Sequence, residues 1–176
     1  MRQLILFRHA KTEPFSETGT DESRRLTEQG QADADLVGAR LTEFGVQPDC
    51  VIISTARRTR ETWMKLQTYF PNARAIYREG LYLADTDELA AEISKQPDCG
   101  VMLVIGHNDG LHEFAMQLCA YGGAKNNEAH RQLRIKFPPG GVALFEAKED
   151  DPFNVYNFEL TEFITPKSLR PDEVPA

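Results

Sequence analysis

The chain has 176 residues, of which 41% are hydrophobic and 27% charged, and 27 Asp and Glu against 20 Lys and Arg leave a net charge of -7. That is the size and polarity of one folded domain able to bury about 70% of its unfolded surface, and it excludes wholesale disorder. The acidic balance also speaks against a broad, backbone-driven grip on nucleic acid, so any anionic ligand must meet a local cluster of positive charge.

Met1 to Phe7 is a short apolar run that stops at Arg8, which predicts a buried parallel strand. The run is too short for a signal sequence or a membrane span, and the chain is expected to be soluble and cytoplasmic. Lys11 to Arg25 is polar and carries Pro14 and Gly19, so it reads as a loop. Thr27 is the expected N-cap of a helix whose Ala34, Val37, Leu41 and Phe44 share one face, closed by Gly45 and Pro48. Cys50 to Ile53 is a second buried strand. It leads through Ser54-Thr55 into a helix with Thr59, Trp63, Leu66 and Phe70 along one stripe. Asp85 with Glu88 predicts a capping box opening a helix to about Lys95.

Val101 to Ile105 is a third apolar strand. Gly106-His107-Asn108 follows it and enters a helix striped by Leu111, Phe114, Ala115, Leu118 and Cys119. Val142 to Phe145 and Phe153 to Leu160 read as further strands. Gln-Pro-Asp-Cys occurs at 47–50 and 96–99, each time just before a strand, and its flanks do not match, which indicates repeated turn chemistry rather than duplication. The three cysteines, Cys50, Cys99 and Cys119, read as buried free thiols. The alternation predicts one α/β domain over 1–165, a three-layer α/β/α sandwich on a mostly parallel sheet. Residues 166–176 are expected to form an extended tail.

In such folds ligands bind beyond the carboxyl ends of the strands. Three predicted strand ends carry suggestive residues: Arg8-His9, the stretch leading to Arg57, Arg58 and Arg60, and Gly106-His107-Asn108. If the strands are parallel, two imidazoles and at least two guanidiniums converge. Arginines hold an anion bidentately and a neutral imidazole is a nucleophile, so a phosphoryl group is the anion that best suits the set. Each member alone has a plainer reading. Arg57 and Arg60 fit a solvated helix face, His112 and His130 fit structural or surface roles, and His107 could cap a helix. Phosphate-loop, dinucleotide and nucleophile-elbow motifs are missing, as is zinc-ligand spacing. No metal or cofactor is expected, and neither nucleic acid nor a membrane is expected as partner.

Four segments, in this order, resemble the histidine phosphatase superfamily (branch 1, phosphoglycerate-mutase-like), and within it the SixA-type phosphohistidine phosphatases. They are Leu4 to Lys11 with its Arg-His pair, Arg24-Arg25-Leu26-Thr27 with Gly30, Ser54 to Thr62, and Val104 to Asn108. Ala10 stands where glycine is usual, and Thr55 stands at the place of a proline. The resemblance spans Leu4 to about Leu169 and implies a phosphoglycerate-mutase-like fold. It implies His9 as the nucleophile that becomes phosphohistidine, Arg8 and Arg58 as holders of the phosphoryl oxygens, and His107 as a second histidine on the same oxygens. Arg24 and Asn108 would contact substrate. Glu79 falls where many members keep a proton donor, although SixA-type proteins need not use one and an exposed loop acid is the alternative. The implied activity is a metal-independent phosphatase acting on a phosphorylated protein, with a small phosphorylated metabolite or mere phosphate binding as alternatives. His9 must be neutral to attack, so turnover is expected to fall as it protonates on the acid side.

Overall fold

A computed structural model describes residues 1–170. Six strands form one sheet in the order β3-β2-β4-β1-β5-β6. They are β1 (Gln3–Arg8), β2 (Cys50–Ser54), β3 (Arg74–Arg78), β4 (Val101–Gly106), β5 (Val142–Ala147) and β6 (Phe158–Ile164). The pairs β2–β3, β2–β4 and β1–β4 are parallel, whereas β5 is antiparallel to β1 and to β6. The register sets Arg8 of β1 opposite Gly106 of β4, so the residues that follow each strand emerge side by side.

Because successive side chains of a strand face opposite ways, each central strand feeds two cores. Leu4, Leu6, Ile52, Met102 and Val104 pack against α3 (Thr86–Ser94), α4 (Gly110–Gly122) and α5 (Asn127–Ile135). Ile5, Phe7, Val51, Ile53, Leu103 and Ile105 pack against α1 (Glu28–Glu43) and α2 (Arg57–Leu66). The three-layer α/β/α sandwich follows. The Thr27 hydroxyl accepts from Gly30 N at 2.9 Å, and Asp85 with Glu88 forms the capping box of α3.

Several expectations need correction. Phe44 caps α1 at its C-terminus and is 42% exposed, with the Arg40 guanidinium 4.6 Å over its ring. Phe70 is buried but lies beyond α2, which ends at Leu66. The N-cap of α2 is Ala56, which makes no side-chain hydrogen bond. The last strand begins at Phe158 rather than Phe153, because Asn154 to Asn157 is spent on a turn closed by Asn157 N–H donating to Asn154 O. Instead of an extended tail from Pro166, Pro166–Leu169 forms one helical turn (α6), capped by Thr165 and Ser168; the rest of the expected tail, 171–176, lies outside the described residues.

The thiol expectation is also overturned in part. Cys50 and Cys99 are joined as a disulfide with Cα atoms 6.1 Å apart, and Cys119 alone remains a buried thiol. Both Gln-Pro-Asp-Cys turns end on neighbouring parallel strands. The two sulfurs are therefore adjacent at the amino-terminal edge of the sheet, the edge remote from His9 and His107. Asp49 of the first turn bonds Val101 N at 2.7 Å and ties the two turns together.

Candidate active site

His9 leaves β1 one residue beyond Arg8, and its amide donates to Gly106 O at 3.1 Å, continuing the ladder into the loop. Its Nδ1 lies 2.8 Å from the carbonyl oxygen of Ala10. A carbonyl can only accept, so the proton sits on Nδ1 and the lone pair on Nε2. Ala10, wholly buried, is itself anchored where its amide donates to Thr62 Oγ1 at 3.1 Å. His107 follows β4, and its ring centroid lies 5.4 Å from that of His9. His107 Nε2 is 2.7 Å from Ser54 Oγ at the end of β2.

Arg58 in the first turn of α2 is 2% exposed. It donates from Nη1 to the backbone oxygen of Asp21 at 2.7 Å and from Nη2 to Asp21 Oδ2 at 2.9 Å. Arg8 donates from Nη1 to Phe137 O at 2.9 Å, and Asn108 donates to the same carbonyl at 3.0 Å. Arg8 Nε, Arg58 Nε and His107 Nδ1 are buried without a partner. Buried donors are rarely left so, and these three, on residues close enough to act on one another's charge, suit the oxygens of an anion.

The electrostatics follow from the burial. Removal from water, then the positive charges of Arg58, Arg8 and Arg24, pulls His9 down to about 3, against the opposing hydrogen bond to Ala10. His107 is likewise pulled down to about 3, first by burial and then by Arg58, His9 and Arg8, with Asp21 opposing. Both imidazoles are neutral at physiological pH. Arg8 is lowered by burial and by Arg58, with Asp109 acting the other way.

Arg24 sits at the rim, where its Nε donates to Asp21 Oδ1 at 3.0 Å and its Nη1 to Thr12 Oγ1 at 3.2 Å. Glu79 opens the 3₁₀ turn Glu79–Leu81; it is exposed, and among the described residues it has no side-chain hydrogen bond or ion pair. The sequence reading missed Asp21, Ser54 and Tyr82. The Tyr82 hydroxyl donates to Asp21 Oδ2 at 2.8 Å, and its ring stands edge-on to His107 at 5.5 Å. Ser54 lay within a quoted motif, and Tyr82 lay three residues past Glu79, but only the strand order shows that they meet His107.

Among the described residues no group of three or more His, Cys, Asp or Glu side chains could hold a metal ion, and no helix is long and apolar enough to cross a membrane. A broad cleft of about 790 Å³, lined by Arg2, Asp49, Tyr69 and Phe70 among others, opens at the opposite edge of the sheet and includes none of His9, Arg8, Arg58, His107 and Asp21.

The profile of the histidine phosphatase superfamily (branch 1) matches residues 4–82. An uncharacterized protein of Mycobacterium leprae is 32% identical over 165 residues, covering 91% of this chain and 99% of its own. The SixA protein of Nakamurella multipartitia is similar in structure with a TM-score of 0.81 at 27% identity, over 94% of this chain and 96% of that one. For SixA of Agrobacterium tumefaciens the TM-score is 0.77 at 25% identity, over 94% and 98%. The Arg-His strand end, the buried arginine of α2 and the second histidine are thus set in a fold shared with SixA proteins, and the chain belongs to the histidine phosphatase superfamily (branch 1) and is a phosphatase.

Proposed function

We propose that the chain is a protein phosphohistidine phosphatase with His9 as its nucleophile. The observation that carries this reading is the 2.8 Å bond from His9 Nδ1 to Ala10 O, which leaves Nε2 unprotonated beside the unpartnered donors of Arg8, Arg58 and His107. His9 Nε2 attacks phosphorus in line; a bond forms from Nε2 to phosphorus, the bond to the leaving nitrogen breaks, and the substrate ring, already protonated on its other nitrogen, departs as neutral imidazole. Arg8, Arg58 and His107 hold the equatorial oxygens as charge spreads over them. Water then attacks the phosphoenzyme, inorganic phosphate departs, and His9 is regenerated. Asn108 orients the Phe137 carbonyl that steadies Arg8.

The choice of substrate rests on the leaving group. An ester expels an alkoxide and needs a strong acid beside it, whereas a phosphoramidate expels an imidazole, a far better leaving group. Glu79, the acid at the expected position, is exposed and uncommitted, which suits the second class. The SixA proteins of similar structure are ascribed phosphohistidine phosphatase activity, which supports the same reading. The guanidiniums supply the charge neutralisation, so turnover is expected to survive chelation. A panel of phosphohistidine peptide, sugar phosphate and aryl phosphate, run with chelator on wild type and Glu79→Gln, tests the proposal. Phosphohistidine should be hydrolysed fastest and be indifferent to Glu79→Gln. A preference for sugar phosphate that Glu79→Gln abolishes would make the enzyme a small-molecule phosphatase. Acid-quenched labelling of wild type and His9→Ala alike would remove His9 from the mechanism.

A further inference from the structure

The three unpartnered donors that suit a phosphoryl group, Arg8 Nε, Arg58 Nε and His107 Nδ1, are not the atoms that Asp21 occupies. Asp21 takes Nη1 and Nη2 of Arg58 and Nε of Arg24, and it receives the Tyr82 hydroxyl as well. Its carboxylate is therefore no stand-in that a phosphoryl group must evict. It shares Arg58 with the ligand, holding Nη2 of Arg58 and Nε of Arg24. The side chain is 47% exposed and that of Arg24 is 25% exposed, whereas Arg58 is 2% exposed, so the carboxylate marks the mouth and the guanidinium the floor. The substrate body beyond its phosphoryl group must pass this carboxylate.

We propose that Asp21 is a specificity-determining residue that restricts the site to a phosphoryl group with no second anion beside it. The inference rests on the phosphatase reading of the site and adds to it the class of substrate admitted. A neighbouring carboxylate or second phosphoryl group meets a fixed negative charge that already holds Nη2 of Arg58 and Nε of Arg24. A neutral or cationic neighbour, such as an imidazole ring, meets no such cost. Two features keep Asp21 charged and in place. The Tyr82 hydroxyl and Arg58 hold its carboxyl down at about 2, although burial pushes the other way.

The test is binding, which needs no turnover. Affinities of inorganic phosphate and of pyrophosphate are measured by calorimetry on wild type, Asp21→Asn, Asp21→Glu and Tyr82→Phe, with thermal melts as a folding check. Asp21→Asn keeps an oxygen for Tyr82 and Arg58 but loses the charge. It should strengthen pyrophosphate relative to phosphate on the order of tenfold, the relief of one like-charge contact at a partly exposed site. Asp21→Glu and Tyr82→Phe, which keep the charge, should leave the ratio as in wild type. An unchanged ratio in Asp21→Asn, or equal loss of both ligands, would reduce Asp21 to a structural brace. Failure of both ligands to bind wild type would remove the cradle itself. Labelling of His9 is read separately, so a selectivity shift without a phosphoenzyme would leave this inference standing and overturn the proposed mechanism.

Discussion

Ser54 Oγ and His107 Nε2 lie 2.7 Å apart at the adjoining ends of β2 and β4, both out of contact with water. With the hydroxyl donating to Nε2, the imidazole proton is directed to Nδ1, the atom left without a partner. Ser54 thus selects which nitrogen of His107 is left to donate, in the proposed mechanism to a phosphoryl oxygen. Replacement of Ser54 by Ala should cost about 1 kcal/mol of stability and lower kcat/KM on aryl phosphate on the order of tenfold, the cost of one misdirected donor. Steady-state kinetics checks this, and unchanged kinetics would mean that His107 is oriented by packing alone.

The pH profile should differ from the one an ordinary histidine suggests. His9 and His107 are both held at about 3 in the folded chain, so their neutral forms persist far below the usual imidazole value. Loss of activity through protonation of the free enzyme is therefore moved from near neutrality to strongly acidic pH. Stability shows the change earlier. The unfolded chain binds a proton at each histidine near pH 6.5 while the folded chain does not, so stability is whole above about pH 6.5 and declines as pH falls towards about 3. The slope reaches about 1.4 kcal/mol per pH unit for each histidine. Melting temperature measured against pH should fall through that window, and His107→Ala should flatten the decline.

The convergence at the heart of the site was legible because β1, β2 and β4 are continuous apolar runs that stop at polar motifs, which fixes their direction and their ends. β3 was not, since Arg74–Arg78 is an exposed edge strand with an arginine at either end, as edges often carry. Nor was α5, whose polar stretch Asn127–Ile135 buries only Ala129 and Leu133. The bond between Asp21 and Arg58 joins a loop to a helix 37 positions away, and no local pattern encodes it. The pairing of Cys50 with Cys99 depends on β2 and β4 being neighbours, which is a property of strand order and not of cysteine spacing.

That disulfide closes a sequence separation of 49 residues at the edge of the sheet away from His9. Chain entropy for a loop of this length gives about 4 kcal/mol of stabilisation. Reductant should accordingly lower the melting temperature by on the order of 10 °C for a chain of this size. Activity at 25 °C should be retained, because neither cysteine touches the residues around His107. Burial pushes the Cys119 thiol up to about 11, so it should resist alkylation in the folded chain and give one labelled thiol only on unfolding without reductant. Thermal melts with and without reductant, paired with thiol counting, check both statements.

Gly110 opens α4 three residues after His107, and the amide of Leu111 donates to His107 O at 3.0 Å. A Cβ at Gly110 would fall onto the backbone carbonyl of Ala84, just before the Asp85 cap of α3, where no flexible side chain can swing aside. Gly110→Ala must therefore part α4 from α3 and draw His107 with it. The expected cost is about 3 kcal/mol, as for severe overpacking, with kcat falling alongside stability. Gly45→Ala is the contrast: at φ 74 it carries a backbone penalty of about 1 kcal/mol, but its Cβ meets nothing within 4 Å and lies far from the site. If both variants lose stability equally and both keep full activity, the close approach at Gly110 plays no part in placing His107.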